Sequence, residues 1–522
     1  MLNPALGLKG AISAPHQAAA QAGAGVLAEG GSAVEAMVAA AAAVAVAYPH
    51  MNGIGGDGFW LIKRAGQAPV AIFAGGQAAG LATPDWYAAQ GHAEAIPARG
   101  PLAALTVPGT VGGWGAALAL CDAPMPLARL LAPAIALARE GIAVTGNQAD
   151  CTAEKAEGLA PVPGFADIYM PGGSAPERGS RLTQAALAAT LERIAEAGVV
   201  DYYSGDLAAT HGNFLEAAGS PLRRADLEAY RAERRVPLEV STSQGRLWNM
   251  LPPTQGVASL SILALFDRLG VREGEGFDHI HGLIEATKQA FIRRNAELGD
   301  GVEAQAWLEA AAVDDMAARI DPARALPWPY EPRQGDTIWM GAADAEGTVV
   351  SFIQSVFWEF GSGLTCPKTG VVFQNRGAAF SLGDGPNQLA PGKRPFHTLN
   401  PAMAELTDER VMAYGTMGGE GQPQTQAAVF SRYAQFGMGL QEAVTAPRWL
   451  LGKTWGDDTT TLKVESRMDP GLVAELRQAG HEVEMLPPFS DLAGHAGAVV
   501  LHPGGLREAA SDPRADGAAL GL

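Results

Sequence analysis

The sequence predicts a layered α+β protein in which a helix-rich amino-terminal part and a strand-rich carboxy-terminal part share one core. Three observations point there. Hydrophobic residues fill 48% of the 522 positions and charged residues only 18%, which suits a large buried core and not a disordered chain. Within residues 126–235, segments such as LARLLAPAIALAREGI and TQAALAATLERIAEAGV place apolar side chains three and four apart, the helical period. From residue 337 onward, β-like runs separated by turn residues become frequent. Helices and strands each have an apolar face to cover, so the two parts are expected to pack as layers.

The elements follow in order. Ser32 and Glu35 form an S-x-x-E capping box, which satisfies free N–H groups at a helix start. The Ala/Val run behind it, 33–48, reads as a buried helix ending at Pro49, shorter than the roughly 20 residues a membrane span needs. A glycine loop, Gly53-Ile-Gly-Gly-Asp-Gly58, leads into the short strand FWLI. It matches G-x-G-x-x-G, but a dinucleotide site needs a strand before that motif and a helix after it, and here the order is reversed. Leu238–Leu251 reads as strands, Pro252–Gly256 as a turn and Gly276–Glu297 as a helix. Residues 302–335 are rich in Ala, Pro and Trp with weak periodicity, and are expected to form an exposed, mobile connector. Thr337–Ala343 and Thr348–Ile353 are β-like runs joined by Asp344-Ala-Glu-Gly347, a hairpin signal. Gly370–Gln374 and Val411–Tyr414 read as strands, Pro423–Phe436 and Leu440–Ala446 as helices.

A net charge of −18 disfavours a nucleic-acid binder. The segment MLNPALGLKGAISAPH lacks a basic stretch followed by an apolar run, so a cytoplasmic protein without membrane attachment is expected. Cys121, Cys151 and Cys366 are odd in number and widely spaced, which argues against both a disulfide framework and a zinc site. His279 and His281 are two apart on a helix and do not share a face, so no metal site is expected there. His50 fits either a pocket wall or a structural hydrogen bond, and Lys393-Arg394 fits either anion steering or a turn.

The segment GDTIWMGAADAEGTVVSFIQSVFWEFGSG carries the chemistry. Thr337 alone would be an ordinary strand residue, since β-branched Thr favours strands. A hairpin turning at 344–347 returns Ser355 to the open end of the strand pair, close to Thr337. Downstream, the Gly pair of Gly415-Thr-Met-Gly-Gly419 is suited to aim backbone N–H groups at one point. Nucleophile, hydroxyl partner and oxyanion hole are the parts of an acyl-transfer site.

These strings, in this order, resemble the gamma-glutamyltransferase family along nearly the whole chain: SAPHQAAAQAGAGVLAEGGSAVEAMVAAAAAVAVAYP with GIGGDGF, then VPGTVGGW, LPPTQG, GDTIWM, KRPFHTLNP, MGGEGQPQTQ, APRW and SDPR. The resemblance implies a four-layer αββα N-terminal-nucleophile hydrolase. It implies a precursor that cuts itself between Asp336 and Thr337, giving segments 1–336 and 337–522 that stay together as a heterodimer, with or without further dimerisation, in one αββα domain. Thr337 would then be the catalytic nucleophile, its freed α-amine the base, Ser355 the hydroxyl partner, and Gly418 and Gly419 the oxyanion-hole glycines. No cofactor or metal is implied.

The chain departs from the family where a γ-glutamyl group would be held. The segment Phe73-Ala-Gly-Gly-Gln77 lacks the arginine for its carboxylate, and Ala379 stands where an aspartate takes its amine. His397 and Thr398 replace paired serines, and Phe357 replaces an asparagine. AYPHMNGIGGDGFWL, SFIQS, EFGSG, QNRGAAFSL, PFHTLNP and GQPQTQAA are instead similar to the oxamate amidohydrolase branch. That branch implies hydrolysis of a small amide, oxamate, to oxalate and ammonia, a late step of purine-nitrogen salvage. Arg376 or His397 would hold the substrate carboxylate, with Thr398 and Gln422, and alternatively Gln424, as further contacts. Phe357 and Trp358 either narrow the pocket or belong to the core. A gamma-glutamyl hydrolase or transferase acting on glutathione, a larger-amide (cephalosporin-type) acylase and a non-cleaving binding protein are the alternatives.

Overall fold

The computed structural model describes residues 3–328, 336–452 and 459–522. Two seven-stranded antiparallel sheets form its centre. One runs Ala5–Gly7, Arg507–Ser511, Ala496–Leu501, Val411–Thr416, Ala402–Leu406, Gly245–Asn249, Leu238–Thr242. The other runs Ala518–Gly521, Ala11–Ala14, Asp336–Ala343, Val349–Phe357, Asp57–Lys63, Val70–Ala74, Glu233–Arg235. Each sheet thus mixes strands from before and after residue 337, and in the second sheet the Asp336–Ala343/Val349–Phe357 hairpin lies between two earlier strands.

The layering follows from period-two alternation. In the hairpin, Ile338, Met340, Ala342, Val350, Phe352 and Val356 face the helices of the amino-terminal half. Trp339, Ala343, Val349 and Ile353 face the other way, into a core between the sheets completed by Phe59, Phe73, Trp248, Met403 and Val499. Helix Ala33–Ala47 covers one outer face and is buried along its whole length. Alanine suits it twice over, as the best helix former and as a side chain small enough for helices to approach closely. A Cβ on Gly23 of the neighbouring helix Gln17–Ala28 would come within 2.9 Å of Ala36 O. Helices Gly256–Leu269, Phe277–Glu297 and Gln422–Phe430 cover the opposite face. The architecture is α helices, sheet, sheet, α helices, in agreement with the predicted α+β layering.

The capping box at Ser32 forms with both of its hydrogen bonds, and the hairpin turns where expected. The turn is tied to the buried helix: Asp344 accepts from Ala33 N at 2.8 Å and from Thr348 N at 2.8 Å. Two expectations need correction. Part of 302–335 is folded: Ala304–Leu308 and Ala310–Ala317 are helical, with Trp307, Leu308, Val313 and Met316 buried, and residues 329–335 lie outside the described residues. The Gly370–Gln374 run shrinks to the two-residue strand Val371–Val372. No helix among the described residues is long and apolar enough to cross a membrane.

Candidate active site

The site lies where the hairpin's open end meets the loop after Val411–Thr416 of the other sheet. Asp336 pairs with Phe357 and Ile338 with Gln354, with a bulge between them, so Thr337 and Ser355 meet on adjacent strands. Both are fully buried. The glycine loop supports this end of the hairpin: a Cβ on Gly56 would lie 2.0 Å from Ser355 O, so only glycine fits that approach. The loop's role is close packing against the strand that carries Ser355.

Gly418 and Gly419 have positive φ values of 114° and 52°, a conformation open to glycine, and turn the chain from Val411–Thr416 into helix Gln422–Phe430. Gln422, at the helix start, donates from Nε2 to Thr337 Oγ1 at 3.4 Å. This brings the glycine turn to the nucleophile candidate. Behind the turn lies a buried polar network: Gln255 Nε2 donates to Gly419 O and Thr398 O, both at 2.8 Å, and Arg294 donates to Gln255 Oε1 at 2.8 Å and pairs with Glu420 at 2.9 Å.

Arg376 is the central cation. It is fully buried, reaches Thr398 Oγ1 at 3.2 Å and Ser355 Oγ at 3.5 Å, and stacks over the Phe357 ring at 4.1 Å. Its Nε has no hydrogen-bond partner among the described residues, an expensive state for a buried charged group. Burial lowers the Arg376 pKa to about 9, a drop opposed by the carboxylate of Asp57. Asp57 sits at the end of the glycine loop and is fully buried. It accepts from Gly76 N at 3.0 Å, Gln374 Nε2 at 2.9 Å and His397 Nε2 at 3.0 Å. Burial pushes its carboxyl up to about 6, and Arg376 holds that rise back. Burial and the nearby guanidinium keep His397 well below the usual histidine range. The imidazole is therefore neutral and donates through Nε2 to Asp57.

The structure brings Thr337, Ser355, Arg376, Thr398, Gln422 and the Gly418–Gly419 turn together. His397 adjoins them through Asp57. Phe357 supports Arg376, and its own φ is 85°. Other candidates serve the fold. Gln424 ties down Leu451 with two hydrogen bonds, Lys393 binds the carbonyls of Pro386 and Gln388, and Arg394 pairs with Glu233. His50 is held by Asn147 at 2.6 Å. His279 turns to Ser431 while His281 turns to His481, so the two share no site. None of the three cysteines forms a disulfide among the described residues. Sequence reasoning missed Asp57, Gln255, Arg294 and Glu420. Asp57 carried the clearest signal, an acidic residue leading into an otherwise apolar strand.

Residues 19–522 match the family described as Gamma-glutamyltranspeptidase. The chain is 52% identical to the oxamate amidohydrolase proenzyme of Klebsiella pneumoniae, over 98% of each chain. It is 38% identical to the glutathione hydrolase-like YwrD proenzyme of Bacillus subtilis, over 99% of each. The crystal structure of cephalosporin acylase from Bacillus halodurans superposes with a TM-score of 0.92 at 30% identity, covering 100% of this chain and 97% of that one.

Proposed function

This chain belongs to the gamma-glutamyltranspeptidase family of N-terminal-nucleophile amidohydrolases, and on that premise we propose that it is a self-processing enzyme hydrolysing a small carboxylate-bearing amide, oxamate. The observation that carries the substrate is Arg376: a buried guanidinium with an unpartnered Nε beside Ser355 and the Thr337 end of the hairpin. The chain lacks the arginine and aspartate that would grip a γ-glutamyl group, and Arg376 supplies a cation beside Ser355, on the strand adjacent to Thr337. That suits an acid whose carboxylate is bonded directly to the scissile carbonyl. The relative named oxamate amidohydrolase supports the same reading.

In this reading Thr337 Oγ attacks the Asp336 carbonyl, an N-to-O acyl shift gives an ester, and water cleaves it. The α-amine thus freed has an ordinary pKa of about 7.7–8.0 and serves as base for its own hydroxyl. In turnover, Thr337 Oγ adds to the amide carbonyl while its proton passes to the α-amine. The Gly418–Gly419 turn faces the developing oxyanion. The C–N bond breaks, the leaving nitrogen takes the proton and departs as ammonia, and water then releases oxalate from the acyl-enzyme. Ser355 positions Thr337, and Arg376 with Thr398 holds the carboxylate. Segments 1–336 and 337–522 remain together as a heterodimer.

The test begins with intact masses of wild type and Thr337→Ala. Two fragments in the wild type, the smaller starting at Thr337, and one chain in the variant are expected. Turnover of oxamate, a γ-glutamyl anilide, glutathione and a cephalosporin-type amide follows. Preference for either γ-glutamyl compound or for the cephalosporin-type amide, or an uncut wild type, would overturn the reading.

A further inference from the structure

Among the described residues, three polar atoms at this site lack a hydrogen-bond partner: Arg376 Nε, Gln374 Oε1, whose amide is spent on Asp57 through Nε2, and Oε1 of Gln422, whose side chain is fully buried. Gln422 Oε1 shares one planar amide with the Nε2 that reaches Thr337 Oγ1 at 3.4 Å, so it lies within a few ångströms of the nucleophile. The remaining polar groups nearby are committed to one another: Gln255 to Thr398 O and Gly419 O, Arg294 to Gln255 and Glu420, and His397 to Asp57. Around Thr337 this leaves Arg376 Nε as an unused donor on the Ser355 side and Gln422 Oε1 as an unused acceptor on the helix Gln422–Phe430 side.

We propose that Gln422 is a specificity-determining residue that accepts a hydrogen bond from the N–H of the leaving group and so selects unsubstituted amides. The inference rests on the amide hydrolysis proposed above and adds the leaving-group side to it. An acceptor repels a carboxylate and attracts an N–H, whereas a guanidinium does the reverse. A substrate carrying both groups is thereby fixed in one orientation, its carboxylate on Arg376 and its –NH2 on Gln422 Oε1. The scissile carbonyl lies between them, against Thr337. As the tetrahedral adduct collapses, the C–N bond breaks and the nitrogen takes the proton carried by the Thr337 α-amine. Gln422 holds that nitrogen with its lone pair turned toward the amine. An ester of the same acid has no N–H to offer and leaves Oε1 unpaired.

The test compares oxamate with monomethyl oxalate, which delivers the same acyl group to Thr337 with methanol as leaving group. The value of kcat/KM reports formation of that common acyl-enzyme. In Gln422→Met, which is close in shape and lacks the acceptor, the amide-to-ester ratio of kcat/KM is expected to fall about tenfold, the loss of one hydrogen bond to a neutral group. Self-cleavage, read as the two fragments, reports that the variant folds. An unchanged ratio in a self-cleaved Gln422→Met enzyme that still hydrolyses the ester overturns the role of Gln422 and leaves the parent reading standing. A self-cleaved wild type that turns over neither compound overturns the parent reading, and this inference with it.

Discussion

Replacing Arg376 with methionine isolates the role of its charge. The side chain keeps much of its volume over the Phe357 ring but loses the guanidinium, which in the wild type is fully buried with Nε unpartnered. Truncating one partner of a buried charged pair costs about 2–5 kcal/mol. At 1.36 kcal/mol per decade, kcat/KM for oxamate should fall between about 30-fold and several thousand-fold. The pocket does not turn negative in exchange. The Asp57 carboxyl is already pushed up to about 6 against the pull of Arg376, and without that pull it rises further and takes a proton near neutral pH. The control substrate is oxamide, which carries an amide in place of the carboxylate. Arg376→Met should lower oxamate turnover far more than oxamide turnover, in enzyme shown by mass to have cut before Thr337. Equal losses on the two substrates would mean that Arg376 supports the fold of the site and does not read a carboxylate, and the reasoning would fail.

Three further outcomes are expected. Burial holds His50 and His481 at about 3 and His211 at about 4, so the unfolded chain binds protons that the native state refuses, and stability is lost as pH falls through 6.5. By pH 5 each histidine accounts for about 2 kcal/mol, while Asp57, raised to about 6, acts in the opposite sense and returns about 1.5. Guanidinium unfolding of the uncut Thr337→Ala chain should show a stability lower at pH 5 than at pH 7.5 by about 4–5 kcal/mol from these groups, with the lowered His16, His279 and His397 adding to the loss, and His211→Gln should remove about 2 of it; an unaltered pH dependence in His211→Gln would count against it. Gly56→Ala should prevent self-cleavage, because its Cβ would meet Ser355 O at 2.0 Å; a normally processed variant on a denaturing gel would show that the loop yields. Arg294→Met leaves Glu420 buried without its cation and should destabilise the protein by about 3–5 kcal/mol, lowering Tm, with kcat reduced more than KM because Gln255 then loses its hold on Gly419 and Thr398. An unchanged Tm would refute that.

Much of this was legible in the sequence where a local rule has one physical solution. The S-x-x-E box at Ser32 fixed a helix start because reciprocal capping needs that spacing. The Asp344–Gly347 turn fixed the register that returns Ser355 to Thr337. Helix Gly256–Leu269 escaped notice because it is apolar nearly all round, so no polar face marks its period. The helical segments within 302–335 are short, five and eight residues, and rich in alanine, so no period shows in them, and Trp307 and Met316 are buried by tertiary contact that no local pattern announces. Arg294 was illegible for a different reason. It follows Arg293 on one helix, and only the fold shows that Arg293 is partly exposed while Arg294 is 1% exposed and paired with Glu420. The wide separation of Asp57 from Arg376 and His397 along the chain hid their cluster in the same way.

The interleaving of early and late strands in both sheets changes what a single cut would mean for the molecule's lifetime. Before scission, an unfolded chain carries every strand it needs and can return alone. After it, the strand residues 337–343 and Val349–Phe357 find their neighbours Ala11–Ala14 and Asp57–Lys63 on a different polypeptide. Refolding becomes a second-order encounter that slows with dilution, while the native state keeps its contacts. The persistence of the cut protein would then be governed by its unfolding rate and no longer by an equilibrium. Maturation would turn a chain that carries all its own strands into one that must meet its other half to refold.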